Sequence, residues 1–166
     1  MPHAGIVLGV TVALAAGCEP EPPSPFPVGF PDGWTEAREP CTLSHDHDLT
    51  YIRVYANELA HGPYTTFEGA YPPGAILLKQ LFYDEECRDL VGYVTMEKLP
   101  EGTNRADFDW RWRRFDARGE EVVDPRRIPD TCITCHHWHC AEPPYGWDLT
   151  CSPEGLEPPT PFPGGG

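Results

Sequence analysis

Basic residues are scarce in this sequence. It has 12 lysines and arginines against 26 aspartates and glutamates, and its formal net charge is −14 over 166 residues. Nucleic acids and anionic lipid surfaces bind proteins through clustered positive charge, so this composition argues against both as partners. The same acidity is typical of a soluble exported domain, and it would attract a basic partner protein. The length allows one domain of modest size.

No apolar run in the sequence is long enough to cross a bilayer as a helix, which takes about 20 residues. The small and apolar run at residues 5–16 (GIVLGVTVALAA) has instead the length of the central part of a signal peptide. Residues 14–18 (LAAGC) then resemble a bacterial lipobox, in which the cysteine, here Cys18, receives a lipid. We therefore expect residues 1–18 to be a signal peptide with a lipobox-like end.

An ordinary secretion signal is the alternative to the lipobox. Leu14 lies one place further from Cys18 than usual, and no Lys or Arg precedes the apolar run. Both interpretations predict an exported protein. With a lipid at Cys18, the mature chain would be a periplasmic or cell-surface lipoprotein that touches a bacterial membrane only through this anchor.

Prolines are concentrated at both ends of the mature chain. Residues 19–40 combine prolines with acidic residues and offer little that would form a core, so we expect an extended tether there. Residues 152–166 are rich in Pro and Gly, and we expect them to form a disordered tail. The folded domain is therefore predicted to span residues 41–151.

The most informative motif is the CxxCH sequence at residues 132–136. Cys132 and Cys135 are one helical turn apart, so their thiols lie on one face and can add to the two vinyl groups of a haem. The adjacent His136 can then ligate the iron through an imidazole nitrogen. The motif predicts one covalently bound haem c, and bacteria attach such haems outside the cytoplasm, which agrees with the predicted export.

Two other interpretations of this region remain open. A bare CxxC disulfide beside a histidine is one. The other is a zinc site, which needs four ligands. The candidate ligands are crowded into nine neighbouring residues. Its candidate ligands are Cys132, Cys135, His137, His139 and Cys140.

Four further cysteines are available for disulfides in an oxidising compartment, and four cysteines allow three pairings. The most local pair is Cys140 with Cys151. That choice leaves Cys41 with Cys87, which would tie the start of the domain to a later turn. The alternative is that one or both pairs remain thiols.

The hydrophobic pattern predicts a set of short strands. Residues 50–56 alternate, residues 75–83 are apolar on both faces and should be central, and residues 90–98 form the next strand. Residues 108–115 predict a further strand with Phe108, Trp110 and Trp112 on one face. A helical turn at residues 57–60 should stop at 61–63, and a helix should carry the CxxCH motif. The fold class is α+β: an antiparallel sheet with a few short helices, packed around the haem.

The order of these segments resembles the cytochrome P-460 and cytochrome c′-beta family. The matching pieces, within about residues 50–137, are IRVYANELA, YPPGAILLKQLF, GYVTMEK, DWRWRRF and CITCH. The resemblance implies an antiparallel sheet on a single haem held by Cys132 and Cys135. It also implies that His136 is the proximal ligand and that the opposite iron position accepts small nitrogen compounds.

The resemblance also implies roles for two charged residues. Cytochromes P-460 oxidise hydroxylamine and carry a lysine bonded to the porphyrin edge, which corresponds to Lys79. A distal glutamate that relays protons corresponds to Glu97. Lys79 shares its strand face with Leu77 and Leu81, an unusual place for a lysine, although its amine could instead reach water past the sheet edge. Glu97 could equally be a solvated residue at a strand end.

The sequence thus predicts an exported P-460-type cytochrome that oxidises hydroxylamine or a related nitrogen compound and passes electrons to a redox partner protein. One alternative is a nitric oxide binder of the c′-beta type, which lacks the lysine cross-link. The other is a plain electron carrier, in which His137 or His139 would supply a second axial ligand.

Overall fold

The computed structural model describes residues 26–27, 30, 32–38, 41–44, 50–122, 129–143 and 145–151, with the backbone alone at 129–131. The predicted signal peptide, Cys18 and the predicted tail at 152–166 lie outside these residues.

The helices and strands, in chain order, are β1 (Thr35–Glu36), β2 (Thr42–Ser44), β3 (Thr50–Ala56), α1 (Glu58–Thr66), β4 (Ile76–Phe82), β5 (Leu90–Lys98), a 3₁₀ turn (Arg105–Asp107), β6 (Trp110–Asp116), α2 (Pro129–His139), β7 (Gly146–Trp147) and β8 (Thr150–Cys151).

An antiparallel sheet forms the centre of the described structure. Its strands follow the order β1-β3-β4-β5-β6, β2 also pairs with β3, and β7 and β8 form a separate hairpin. The α+β class is therefore correct. β4 lies between β3 and β5, as its two apolar faces predicted, because a strand covered on both sides needs apolar residues on both.

The two faces of this sheet are covered by different parts of the chain. Val54, Lys79 and Val94 lie side by side in the register and define what we call the helix face. Both helices lie on it: Ala60 and Tyr64 of α1 belong to its core cluster, and Trp112 of β6 packs on α2. The opposite face carries Tyr55, Leu78 and Thr95 of the next register row, and we call it the N-terminal face.

The N-terminal face is covered by part of the segment that was expected to be a tether. The ring of Phe26 packs edge-on against Tyr93 and Phe115, with centroids 4.8 and 5.2 Å away, and Phe30 packs on Tyr55 at 5.3 Å. β1 pairs with β3. These residues of the expected tether therefore contact the sheet, because aromatic side chains between the prolines bury apolar area on it.

Two local predictions were wrong. α1 does not stop at residues 61–63 but continues through Pro63 to Thr66, because the burial of Ala60 and Tyr64 favours the helix more than the proline disfavours it. Phe108 is not in β6. It has a φ of 54° and lies in a turn that the Asp109 carboxylate organises by accepting the backbone N–H groups of Gly102 and Asn104.

The described structure contains two disulfides. Cys41 is bonded to Cys87, which joins the residue before β2 to the turn after β4. Cys140 is bonded to Cys151, which joins the end of α2 to β8. Cys140–Cys151 is the pair that the local spacing favoured, and Cys41–Cys87 is the pair that this choice left.

Candidate functional site

The CxxCH motif lies in α2, which begins at Pro129. Proline is well suited to the first helical position, because its missing N–H would have no partner there. Cys132 and Cys135 are half-buried and one turn apart. Both disulfides of the structure are made by other cysteines, so the interpretation of the motif as a CxxC disulfide is not supported.

His136 is the most constrained residue of the motif. Only 5% of it is exposed, and its Nδ1 lies 2.6 Å from the carbonyl oxygen of Leu149. A carbonyl can only accept a hydrogen bond, so Nδ1 carries the proton. The ring of Trp112 packs against the imidazole edge-on, with centroids 4.5 Å apart. Both the orientation and the tautomer of the ring are therefore set by its surroundings.

The same surroundings keep the imidazole uncharged. The pKa of His136 is lowered from its usual 6.5 to about 3, mainly by burial and in addition by the positive charge of Lys79 and by His137. The hydrogen bond to Leu149 acts in the opposite direction but is outweighed. A neutral ring with its proton on Nδ1 presents Nε2 as the nitrogen with a lone pair, which is the form that ligates a metal.

Lys79 lies in the middle of β4, between Val54 of β3 and Val94 of β5. It is half-buried on the helix face, close enough to His136 to influence its pKa. The structure therefore brings together Lys79 and His136, two of the residues that the sequence singled out, although 57 positions separate them along the chain.

Glu97 lies on the other side of the sheet. In the register it is opposite Ile76 and Arg111, on the N-terminal face, and its carboxylate accepts hydrogen bonds of 2.5 and 3.2 Å from the Arg111 guanidinium. Because side chains alternate along a strand, its neighbour Lys98 is the one on the helix face. The structure does not bring Glu97 to Lys79 and His136.

The other candidate ligands near the motif have different partners. His137 Nε2 lies 3.4 Å from an Asp107 carboxylate oxygen, and the ring of Phe108 packs against the imidazole. His139 is exposed, and the Cys140 sulfur is in a disulfide. The zinc set proposed from the sequence is therefore not assembled among the described residues, and His137 faces the 3₁₀ turn and not the ring of His136.

One cluster of potential metal ligands is present among the described residues. The donor atoms of His136, Cys140 and Cys151 lie within 4.8 Å of one another. Metals bind thiolates, however, and both sulfurs are used in the disulfide. As it stands, the cluster is a disulfide packed against an imidazole, with Cys151 Sγ 3.7 Å from His136 Nδ1.

Sequence reasoning missed the partner of His136. The Leu149 carbonyl belongs to an irregular segment without a motif of its own, so only one indirect signal was available. The favoured pairing of Cys140 with Cys151 already implied that the chain folds back towards α2, and Leu149 lies two residues before Cys151.

Two buried tyrosines lie near the site on the helix face. Burial raises the pKa of both Tyr64 and Tyr71, so both hydroxyls stay protonated at neutral pH. The Tyr71 hydroxyl is 3.0 Å from the Thr150 hydroxyl. They act as core residues with satisfied polar ends.

No protein-family model matches this chain, and no curated protein matches it. Within the described ranges, no helix is long and apolar enough to span a membrane.

Proposed function

We propose that this protein is an exported monohaem c-type cytochrome of the P-460 type. Cys132 and Cys135 bind the haem covalently, and His136 ligates its iron. The protein oxidises hydroxylamine or a related small nitrogen compound and passes the electrons to a redox partner protein. The observation that carries this proposal is the state of His136: buried, neutral, and held by Leu149 with the proton on Nδ1.

The donor set fits a c-type haem. A haem-ligating histidine needs a lone pair on one nitrogen and usually donates a hydrogen bond from the other, which fixes the ring and makes it a better ligand. His136 meets both requirements. Cys132 and Cys135, on the turn before it, have the spacing of the two thioether bonds. The haem, when bound, supplies an iron centre that takes up electrons from a bound substrate.

Lys79 supports the enzymatic form of the proposal over simple ligand binding. It is a cation among apolar neighbours on the helix face, and its charge acts on His136. In the proposed enzyme, its amine forms the bond to the porphyrin edge that the family resemblance implies. Glu97 has no part in the proposed site, because it pairs with Arg111 on the N-terminal face.

Export is supported by the cysteines. Two disulfides in so small a domain are typical of oxidising compartments. We include in the proposal a lipid on Cys18 that anchors the domain to a bacterial membrane, on the strength of the lipobox-like residues 14–18.

The proposal is tested by the absorption spectrum of the purified holoprotein in its oxidised and reduced forms. A lysine bonded to the ring alters the conjugation, so the reduced Soret band should lie far to the red of an ordinary c-type haem. Lys79→Ala should restore an ordinary spectrum and abolish hydroxylamine oxidation, while the haem stays covalently attached. Lys98→Arg, at the only other lysine in the chain, is the matched control and should leave the spectrum unchanged.

Other outcomes select the alternatives. An ordinary wild-type spectrum, with Lys79 unmodified by peptide mapping, would contradict the enzyme and favour a nitric oxide binder of the c′-beta type. A spectrum of six-coordinate iron that does not change on adding nitric oxide would favour a plain electron carrier.

A further inference from the structure

Residues 146–151 contact His136 through the Leu149 carbonyl and the Cys151 sulfur, and we call this segment the strap. It consists of β7, a two-residue turn and β8. Leu149, in the turn, is fully buried, and its carbonyl oxygen is the partner of His136 Nδ1 at 2.6 Å. The strap thus supplies the hydrogen-bond partner of the imidazole, beside the ring of Trp112.

The strap is fastened at both of its ends to the residues that directly follow α2. At its far end, the disulfide between Cys140 and Cys151 joins it to the residue after α2. At its near end, the Gly146 N–H donates to the Glu142 carbonyl at 3.1 Å. A side chain at Gly146 would collide with the carbonyl oxygens of Cys140 and Thr150, so only glycine allows this close approach.

The middle of the strap is fastened to the helix face of the sheet. The indole N–H of Trp110 donates to the Asp148 carbonyl at 2.8 Å, and Lys98 Nζ lies 2.6 Å from the Asp148 carboxylate. The Lys98 and Asp148 side chains are only 14% and 17% exposed. The Tyr71 hydroxyl holds Thr150 in the same way. These contacts come from β5, β6 and the loop before β4, so the strap bridges the sheet and the helix.

The backbone at the centre of the strap is strained. Asp148 and Leu149 have φ values of 48° and 64°, in the left-handed region that non-glycine residues seldom adopt. Such conformations persist only where the surroundings hold them, and they are concentrated where a backbone group must be aimed at a target. Here the aimed group is the Leu149 carbonyl, and its target is His136.

We propose that the strap is a positioning device for the proximal histidine and that the Cys140–Cys151 disulfide is its latch. With the disulfide formed, Leu149 stays in its left-handed conformation, and its carbonyl fixes the orientation and tautomer of His136. Without the disulfide, the strained turn relaxes and the imidazole loses its partner. The term proximal rests on the proposed function, whereas the geometry of strap and ring does not.

The test follows the His136 Nδ1–H proton by NMR in the full-length, isotope-labelled protein. In the wild type the ring should be neutral with its proton on Nδ1, and this proton should exchange slowly with solvent. In Cys140→Ala/Cys151→Ala, local opening of the strap should speed the exchange by about tenfold or more. The matched control is Cys41→Ala/Cys87→Ala, which removes the other disulfide and should change the exchange by less than about twofold, because local opening at β2 does not expose the ring.

Several results would overturn this proposal. Slow exchange in the variant without the Cys140–Cys151 disulfide would show that the latch is not needed. Equal acceleration in both double variants would show a general loss of stability and not a local effect. If circular dichroism finds the first variant unfolded, Asp148→Asn decides the matter, since it weakens the link to Lys98 without removing a disulfide. The exchange should then be severalfold faster, and an unchanged rate would contradict the role of the strap.

The same samples separate this proposal from the proposed function, because their covalent haem is measured independently. A slowly exchanging Nδ1–H in a protein without haem supports the strap and contradicts the cytochrome. Covalent haem in a protein whose His136 tautomer does not depend on the latch supports the cytochrome and contradicts the strap.

Discussion

The two faces of the sheet are built from the same strands but carry different kinds of side-chain interaction. On the helix face, Lys98 pairs with Asp148, His136 is held by the Leu149 carbonyl, and the charge of Lys79 acts on His136. On the N-terminal face, aromatic rings pack on one another and arginines pair with glutamates, as in Arg111 with Glu97 and Arg113 with Glu121. Burying a charge costs free energy unless the charge is paired. We therefore expect the functional site on the helix face, where Lys79 and Lys98 lie among apolar side chains.

The largest difference between the faces should appear in stability. Trp110 is fully buried on the helix face and donates to Asp148, so Trp110→Ala should lower the free energy of unfolding by about 3–5 kcal/mol. Phe30 is only half-buried on the N-terminal face, and Phe30→Ala should cost about 1–2 kcal/mol. Urea denaturation measures both. Equal losses in the free energy of unfolding for the two variants would contradict a difference between the two faces.

The second difference is a dependence of stability on pH. His136 has a folded pKa of about 3, below the usual 6.5 of an unfolded chain. The unfolded state therefore binds the proton first as the pH falls. The contribution of His136 is fully present above pH 6.5 and is lost towards pH 3, by up to about 1.4 kcal/mol per pH unit.

This dependence is measured in the haem-free form Cys132→Ser/Cys135→Ser by urea denaturation between pH 7 and pH 5. The same protein with His136→Gln is the control and should show a flatter profile. Carboxylates such as Asp84 and Asp109, whose pKa values are lowered by backbone hydrogen bonds, do not titrate in this range. Parallel profiles would contradict the buried, neutral state of His136.

The smallest effect is expected at Glu97. Its ion pair with Arg111 is partly exposed on the N-terminal face, so Glu97→Gln should change the free energy of unfolding by less than about 1 kcal/mol. The spectrum of the holoprotein and its rate of hydroxylamine oxidation should not change. A fall in that rate without a change in stability would restore Glu97 to the proton-relay role that the family resemblance implied.

The sequence predicted the parts of this fold whose pattern is local. β3 and β5 begin and end where the alternation of apolar residues placed them, and β4 differs by one residue at each end, because side-chain periodicity reports the burial of a strand directly. Cysteine spacing favoured Cys140 with Cys151, which left Cys41 with Cys87, and the structure contains both pairs. Lys79 was singled out by the family resemblance, and its place among leucines is unusual for a lysine.

The parts that were missed depend on contacts distant in sequence. Phe26 and Phe30 lie among prolines, and nothing local shows that the sheet offers them a surface. The position of Glu97 depended on the register of β5, where a shift of one residue exchanges the two faces. The strap has two-residue strands and a left-handed turn, for which no periodic pattern exists.

The central claim is that Cys132, Cys135 and His136 hold a haem, and its most direct test is to denature the purified holoprotein in acidified organic solvent. Thioether bonds survive this treatment, whereas a haem held only through its iron is extracted. We predict that the haem stays with the protein, in one peptide that contains Cys132 and Cys135, and that Cys132→Ser/Cys135→Ser retains none. Haem that extracts freely from the wild type, or zinc found in its place, would contradict the account.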